Sequence, residues 1–318
     1  MSALSELSSI RRTKAKSPEE KRLQKKEAGR DNKAGYLFLL PWLVGLVVIT
    51  IGPMLASLYL SFTDYNLIQA PVWTGVENYL RMLGDERLHN SLKVTFIYVF
   101  VSTPLQLLLA LGLALLLNEG MKGLPFYRSV FYLPSMLGSA VAISVLWRQM
   151  FGTDGLVNQV LRLVGVDATT GWISDPKYAL STIILLHVWT FGSPMVIFLA
   201  GLRQIPGMYY EAAAVDGATR WTTFVKITLP LLSPIIFFNL VLQIIGAFQA
   251  FTQAFVVSGG TGGPSDSTMF YTVYLYQRGF GQFQMGYAAA MAWLLVIIIA
   301  VFTAINFYAS KYWVFYGD

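Results

Sequence analysis

Few residues in this chain of 318 can do acid–base or covalent chemistry. There is no cysteine, so thiolate catalysis, disulfides and cysteine-held metals are out of reach. The two histidines, His89 and His187, lie far apart, and neither an H-E-x-x-H helix nor a G-x-x-x-x-G-K-[ST] phosphate loop is present. No catalytic or metal-ligating residue is therefore expected. Neutral hydrogen-bonding groups are better placed. Asn239, Gln243, Gln249 and Gln253 punctuate an apolar run, and on one continuous helix they share an arc of about 120°. Such amides can bind the hydroxyls of a neutral solute, with Phe248 or Phe251 beside them as stacking faces; they can equally bond across a helix or subunit interface. His187, Trp189 and Ser193 form a second group just ahead of Pro194, which frees the carbonyl four residues back. His187 reads first as an interhelical hydrogen-bonder, and second as a ligand for substrate.

The elements that must carry these groups are apolar. Apolar residues make up 55% of the chain and charged ones 13%, against roughly 25% charged in an average soluble domain. Six stretches hold no Asp, Glu, Lys or Arg: Ala34–Thr63, Val94–Asn118, Ser129–Trp147, Tyr178–Leu202, Ile227–Ser265 and Gly279–Ser310. A helix needs about 20 apolar residues to cross a bilayer, so the fold class is all-α, a polytopic membrane protein with six transmembrane helices. The long fifth stretch reads as one span with interfacial ends, entered at Pro230 and Pro234 and left at Gly259–Gly263. Gly112, Gly138 and Ala288–Ala290 read as sites of close helix packing. No carboxylate, lysine or arginine lies within the six stretches and His187 is the only imidazole in them, which argues against proton- or ion-coupled transport.

Charge orients the chain. Ten of the 23 Lys and Arg precede Gly35. Residues 1–34 thus read as a basic cytoplasmic tail ahead of a membrane domain over 35–318, with both termini inside. Without the tail, the two sides are balanced at six basic residues each. The tail explains the net charge of +6 without a nucleic-acid partner. It is too long and polar for the lead of a cleaved signal peptide.

One polar segment stands between two spans, within a connection over 203–230: "EAAAVDGATRWTTFVKITLP", Glu211–Pro230. Pro206 and Gly207 break the fourth span, Met208–Asp216 can form a helix, and Gly217 suits its left-handed end. A second short helix then leads into span five. On these residues alone it could be a plain surface hairpin or a docking element.

The segment resembles the signature loop of binding-protein-dependent ABC importer permeases. Glu211-Ala212-Ala213, Gly217 and Ile227-x-Leu229-Pro230 stand at the family's spacing, and Val215-Asp216-Gly217-Ala218 is similar to its carbohydrate-uptake branch. "FLLPWLVGLVVITIGPMLASLYLSFTDYN", "FYRSVFYLP", "TGGPSDST" and "MGYAAAM" extend the likeness over roughly residues 36–300. The opening looks like the maltose- and glycerol-3-phosphate-type first permease subunit.

The resemblance implies a type I importer permease fold in a bacterial or archaeal cytoplasmic membrane. It implies a second, homologous permease subunit, two cytoplasmic ATPase subunits and an extracytoplasmic solute-binding protein, with ATP and Mg held by the ATPases and no cofactor in this chain. The loop over 207–226 would be the coupling helix. Glu211 would pair with the ATPase, Ala212, Ala213 and Gly217 would permit close docking, and Asp216, Ile227, Leu229 and Pro230 complete the motif. The implied cargo is a disaccharide, an oligosaccharide or a polyol phosphate. An ATP-independent channel or facilitator for small polar solutes is the alternative, and it leaves the loop unexplained.

Overall fold

The computed structural model describes residues 36–119, 123–137, 141–166 and 169–315. The basic tail over 1–34 and Gly138 lie outside them. The chain divides into two units, Met1–Tyr59 and Leu60–Asp318. The first contributes nearly all of helix α1 (Tyr36–Leu60). Pro53 has no N–H to give, and the helix accommodates it through a π turn at Leu46–Ile51, where Gly52 N–H reaches back five residues to Val47 O.

The second unit opens with a two-residue β-pairing, β1 (Thr63–Asp64) on β2 (Val72–Trp73). Helices α2 (Glu77–Leu83) and α3 (Glu86–Asn118) follow. Then come α4 (Leu124–Leu137), α5 (Val141–Met150), α6 (Leu156–Leu163), α7 (Ala179–Trp189), α8 (Gly192–Leu202) and α9 (Gly207–Val215). The chain continues through α10 (Arg220–Phe248), α11 (Thr252–Val257), α12 (Tyr271–Tyr276) and α13 (Met285–Ser310). Among the described residues four helices, α1, α3, α10 and α13, are long and apolar enough to cross a membrane, and the number rises to six when each of the bent pairs α4–α5 and α7–α8 is counted as one span.

Expectation and structure part in three places. The third span is not one helix: α4 and α5 lie 93° apart. Pro134, near the end of α4, disfavours a straight helix there. The fifth span ends at Phe248 and not in the glycine-rich run, because the chain leaves α10 there and starts α11 at Thr252. Gly112 is not a packing site, since a Cβ on it would meet nothing within 4 Å. Ala288 and Ala290 are buried as expected.

Helix α3 is the central post and packs against α7, α8, α10 and α12. Its loop-end half buries Leu107, Ala110, Ala114 and Leu117 against Phe198, Leu199 and Leu202 of α8 and Leu232 of α10. The small side chains of Ala110 and Ala114 let α8 come close, which dispersion between membrane helices requires. The other half buries Tyr98 and Val99 with Ile183, Leu186, Phe248, Tyr271 and Tyr287.

Candidate functional site: a glycine-capped loop, a polar junction and a charge network

The Glu211 segment folds as its residues dictate. Pro206 lies in extended backbone at the N-cap of α9, and Asp216 caps its end. Gly217 takes the left-handed φ of +69°. Its N–H donates to Ala214 O at 3.1 Å, and Ala218 N–H donates to Ala213 O at 2.9 Å. This pair of bonds closes a helix that ends on glycine. Thr219 Oγ1 then accepts from Thr222 N–H at 3.2 Å and starts α10. The Tyr210 hydroxyl bonds the Thr228 hydroxyl at 3.2 Å and ties α9 to the base of span five.

The motif residues separate by exposure. Glu211, Ala212, Asp216 and Gly217 are exposed, whereas Ala213 is buried within the chain. Ile227, Leu229 and Pro230 are half-buried around the entry to the membrane part of α10. Four large apolar residues that motif reading passed over are exposed here: Met208, Tyr209, Val215 and Trp221. Their signal in the sequence was apolar residues at solvent positions of a short polar helix. Arg220 approaches Glu119 at 3.6 Å, an exposed pair that contributes little.

Halfway along the domain, a polar junction joins three spans. Pro194 leaves Thr190 O without its helical donor. Gln106 Nε2 on α3 supplies one at 3.1 Å and also donates to His187 O at 3.0 Å and Thr190 Oγ1 at 3.0 Å. Ser135 Oγ on α4 donates to Thr190 O at 3.0 Å and accepts from Ser193 N–H at 2.8 Å. α7 and α8 bend by 40° at this point. Sequence reading found the orphan carbonyl but not Gln106, a lone amide in an aliphatic run. Gln106→Leu is expected to cost about 1–2 kcal/mol and to lower the unfolding temperature of the purified protein. Adding Ser135→Ala should lower it further, because Thr190 O then has neither donor. Equal melting of the single variant and the parent would contradict the assignment.

The candidate path residues disperse. His187 packs edge-on against Tyr98 at 5.4 Å, with Nε2 buried and unpartnered among the described residues. Trp189 lies on Trp147 at 6.0 Å. Ser193 lines an open cavity of about 370 Å³ with Arg128 and Tyr132. The amide arc does not exist as drawn. Asn239 and Gln243 share α10, Gln249 caps its end and Gln253 belongs to α11, so no single helix aligns the four. Asn239 is fully buried, and both its amide atoms lack a partner among the described residues. Phe248 is closed between Phe96 and Phe302 at 5.4 and 5.6 Å, which removes it as an open stacking face. Phe251 instead begins a row of rings, Phe251, Phe255, Tyr276 and Phe280, with successive centroids 5.0, 5.3 and 5.2 Å apart.

At the end opposite the loop, Asp85 gathers four donors. Its carboxylate accepts from Tyr274 OH at 2.7 Å, Tyr287 OH at 2.8 Å, Arg278 Nη2 at 3.0 Å and Leu88 N–H at 3.0 Å. Arg87 forks onto Asp266 at 2.8 and 2.9 Å, and Arg81 donates to Gln284 at 3.0 Å. These bonds fasten the connection between α11 and α13 to the start of α3.

The family described as "Binding-protein-dependent transport system inner membrane component" matches residues 84–312. The chain is 53% identical over 288 residues to the "Probable ABC transporter permease protein YesP" of Bacillus subtilis (strain 168), covering 90% of this chain and 93% of that protein. It is 33% identical over 282 residues to the "Lactose transport system permease protein LacF" of Rhizobium radiobacter, covering 87% and 94%. A chain of the bacterial alginate ABC transporter, solved in complex with alginate pentasaccharide-bound periplasmic protein, superposes with a TM-score of 0.75 at 22% identity, covering 90% and 96%. At that identity the match speaks for the fold.

Proposed function

This chain belongs to the family of binding-protein-dependent transport system inner membrane components, and from that premise we propose that it carries oligosaccharides across a cytoplasmic membrane as one permease of an ATP-driven importer. A second permease, two cytoplasmic ATPase subunits and an extracytoplasmic solute-binding protein complete the assembly. Residues 35–318 form the transmembrane domain, with both termini cytoplasmic and the 203–230 connection facing the ATPase. Nucleotide and magnesium belong to the ATPase, and no covalent step falls to this chain.

The observation that carries the reading is the loop itself. The glycine-capped helix α9 exposes the large side chains of Met208, Tyr209 and Val215 together with Glu211, and Trp221 is exposed at the start of α10. An apolar core with a charge at its edge is the composition of a protein-docking site. ATPase closure pressing on α9 is passed to span five, because Tyr210 holds Thr228 and α9 runs into α10 through a tight turn. Sugar as the cargo class is supported by relatives named for lactose and for trehalose/maltose, and by the neutral polar and aromatic groups in and beside the spans. A polyol phosphate would want basic groups along the path, and those of this subunit, such as Lys93, stand at the boundaries of the uncharged stretches.

Glu211→Lys tests the coupling. Uptake and substrate-stimulated ATP hydrolysis of the assembled complex should fall at least tenfold while the permease still purifies folded with its partner permease. Unchanged uptake and hydrolysis would make Glu211 a solvated surface residue. Uptake by the permease with no ATPase subunit present would replace the importer reading with a facilitator.

A further inference from the structure

The end of the domain opposite the coupling loop holds an open pocket of about 450 Å³ whose walls include Arg148, Ser174, Ser258, Thr261 and Gly263. It is assembled from the end of α5 and from two connections, the one ahead of α7 and the one after α11. No acidic side chain lines it.

Arg148 differs from the other arginines at this end. Arg87, Arg162 and Arg278 approach carboxylates, and Arg81 lies over the Tyr287 ring. Among the described residues, Arg148 is exposed and has neither an acidic nor an aromatic partner. Its guanidinium lies along the backbone at Gly259, where a Cβ would stand 3.5 Å from Nη1. Gly259, Gly260, Gly262 and Gly263 all have positive φ and no side chain, so between Gly259 and Gly263 only Thr261 has a side chain to place beside the fork. The stretch is also braced. Thr268 Oγ1 donates to Gly262 O at 2.9 Å, and Gln277 Nε2 donates to Gly260 O at 2.6 Å. The hydroxyls of Ser258 and Thr261 are turned to backbone carbonyls, which leaves the guanidinium as the principal donor facing the opening.

A planar guanidinium with its fork unoccupied fits a carboxylate, which it can bind through two parallel bonds. The site stands on two connections between spans, at the end of the domain opposite the loop. We infer that Arg148 receives an aspartate or glutamate side chain of the docked solute-binding protein; this rests on the importer reading above.

The test uses the whole complex in lipid nanodiscs, with ATP hydrolysis followed against increasing solute-binding protein loaded with a neutral oligosaccharide. Arg148→Glu should raise the half-saturating concentration at least tenfold with the maximal rate unchanged, and Arg148→Lys should fall between. The dependence of half-saturation on salt should weaken in the Glu variant, as loss of a rim charge pair requires. Half-saturation equal to the parent's would overturn the assignment. So would a loss seen only with a sugar that bears a carboxylate, since the anion would then be the cargo's. A parent complex that no binding protein stimulates would sink the importer reading and take this one with it.

Discussion

Gly192→Ala is expected to reduce uptake below a tenth of the parent's and to lower the unfolding temperature of the purified complex by several degrees. A methyl group on Gly192 would stand 2.5 Å from Phe131 O, 2.7 Å from Tyr132 Cα and 2.7 Å from Ser135 Oγ. Two of these three are backbone atoms, so no side-chain rotation relieves the contact. α4 must move off α8, and Ser135 then loses both Thr190 O and Ser193 N–H. Overpacking costs about 1–3 kcal/mol, and each lost buried bond adds about 1 kcal/mol. Gly112→Ala is the control. It sits in α3 with open space at its Cβ, and alanine there gains roughly 0.5–1 kcal/mol of helix propensity. If the two variants melt and transport alike, the close approach of α4 to α8 is not what holds the junction.

Asp85→Ala should be the most damaging change outside the spans, at about 3 kcal/mol, the lower end for breaking a buried pair. The lower end applies because Asp85 is 8% exposed but Arg278 is 18% exposed. The substitution removes at once the carboxylate that accepts from Arg278 Nη2 and from two tyrosine hydroxyls. The acid has a pH signature. Burial alone would raise its pKa, but hydrogen bonds from Tyr274, Tyr287 and Leu88 N–H, with the Arg278 charge, outweigh burial and hold the carboxyl below 3.8. The Tyr274 phenol is pushed up to about 12, first by burial and then by its bond to Asp85. A folded value below the unfolded one means that Asp85 stabilises fully above pH 3.8 and loses that contribution as pH falls through the folded value. Unfolding measured from pH 6 down to about pH 3 should therefore show an acid-side loss in the parent that Asp85→Asn lacks. Parallel curves for the two proteins would refute the network's role.

What could be read from the sequence was local. The spans follow from runs without charge, and Gly217 follows from the need of a helix end for a left-handed residue. The docking motif depends on spacing within twenty residues. What escaped was pairwise and distant. Asp85 and Arg278 are 193 residues apart in the chain, and Arg81, Arg87 and Arg278 registered only as charges that orient the chain. Gln106 looked like one amide among leucines until Pro194 presented it with an acceptor. Gly112 and Gly192 are the same residue type in apolar helices, and only the neighbour across the gap decides which one is indispensable. The Asn239–Gln253 arc failed because a periodicity argument assumes one helix, and the chain turns away at Phe248.

The junction at Gln106 has a mechanical side. At 1.5 Å per residue, α3 extends about 30 Å from Glu86 to Gln106 but only about 18 Å from Gln106 to Asn118. The short side reaches the cleft where Asn118 meets Tyr210 and Ala214 of the loop. A rod fastened at that point is a lever of unequal arms. Any tilt imposed by a push at the loop end swings the far end about 1.7 times as far, on the same helical rise. A stroke of a few ångströms at the loop end would thus reach the opposite end enlarged and reversed in direction.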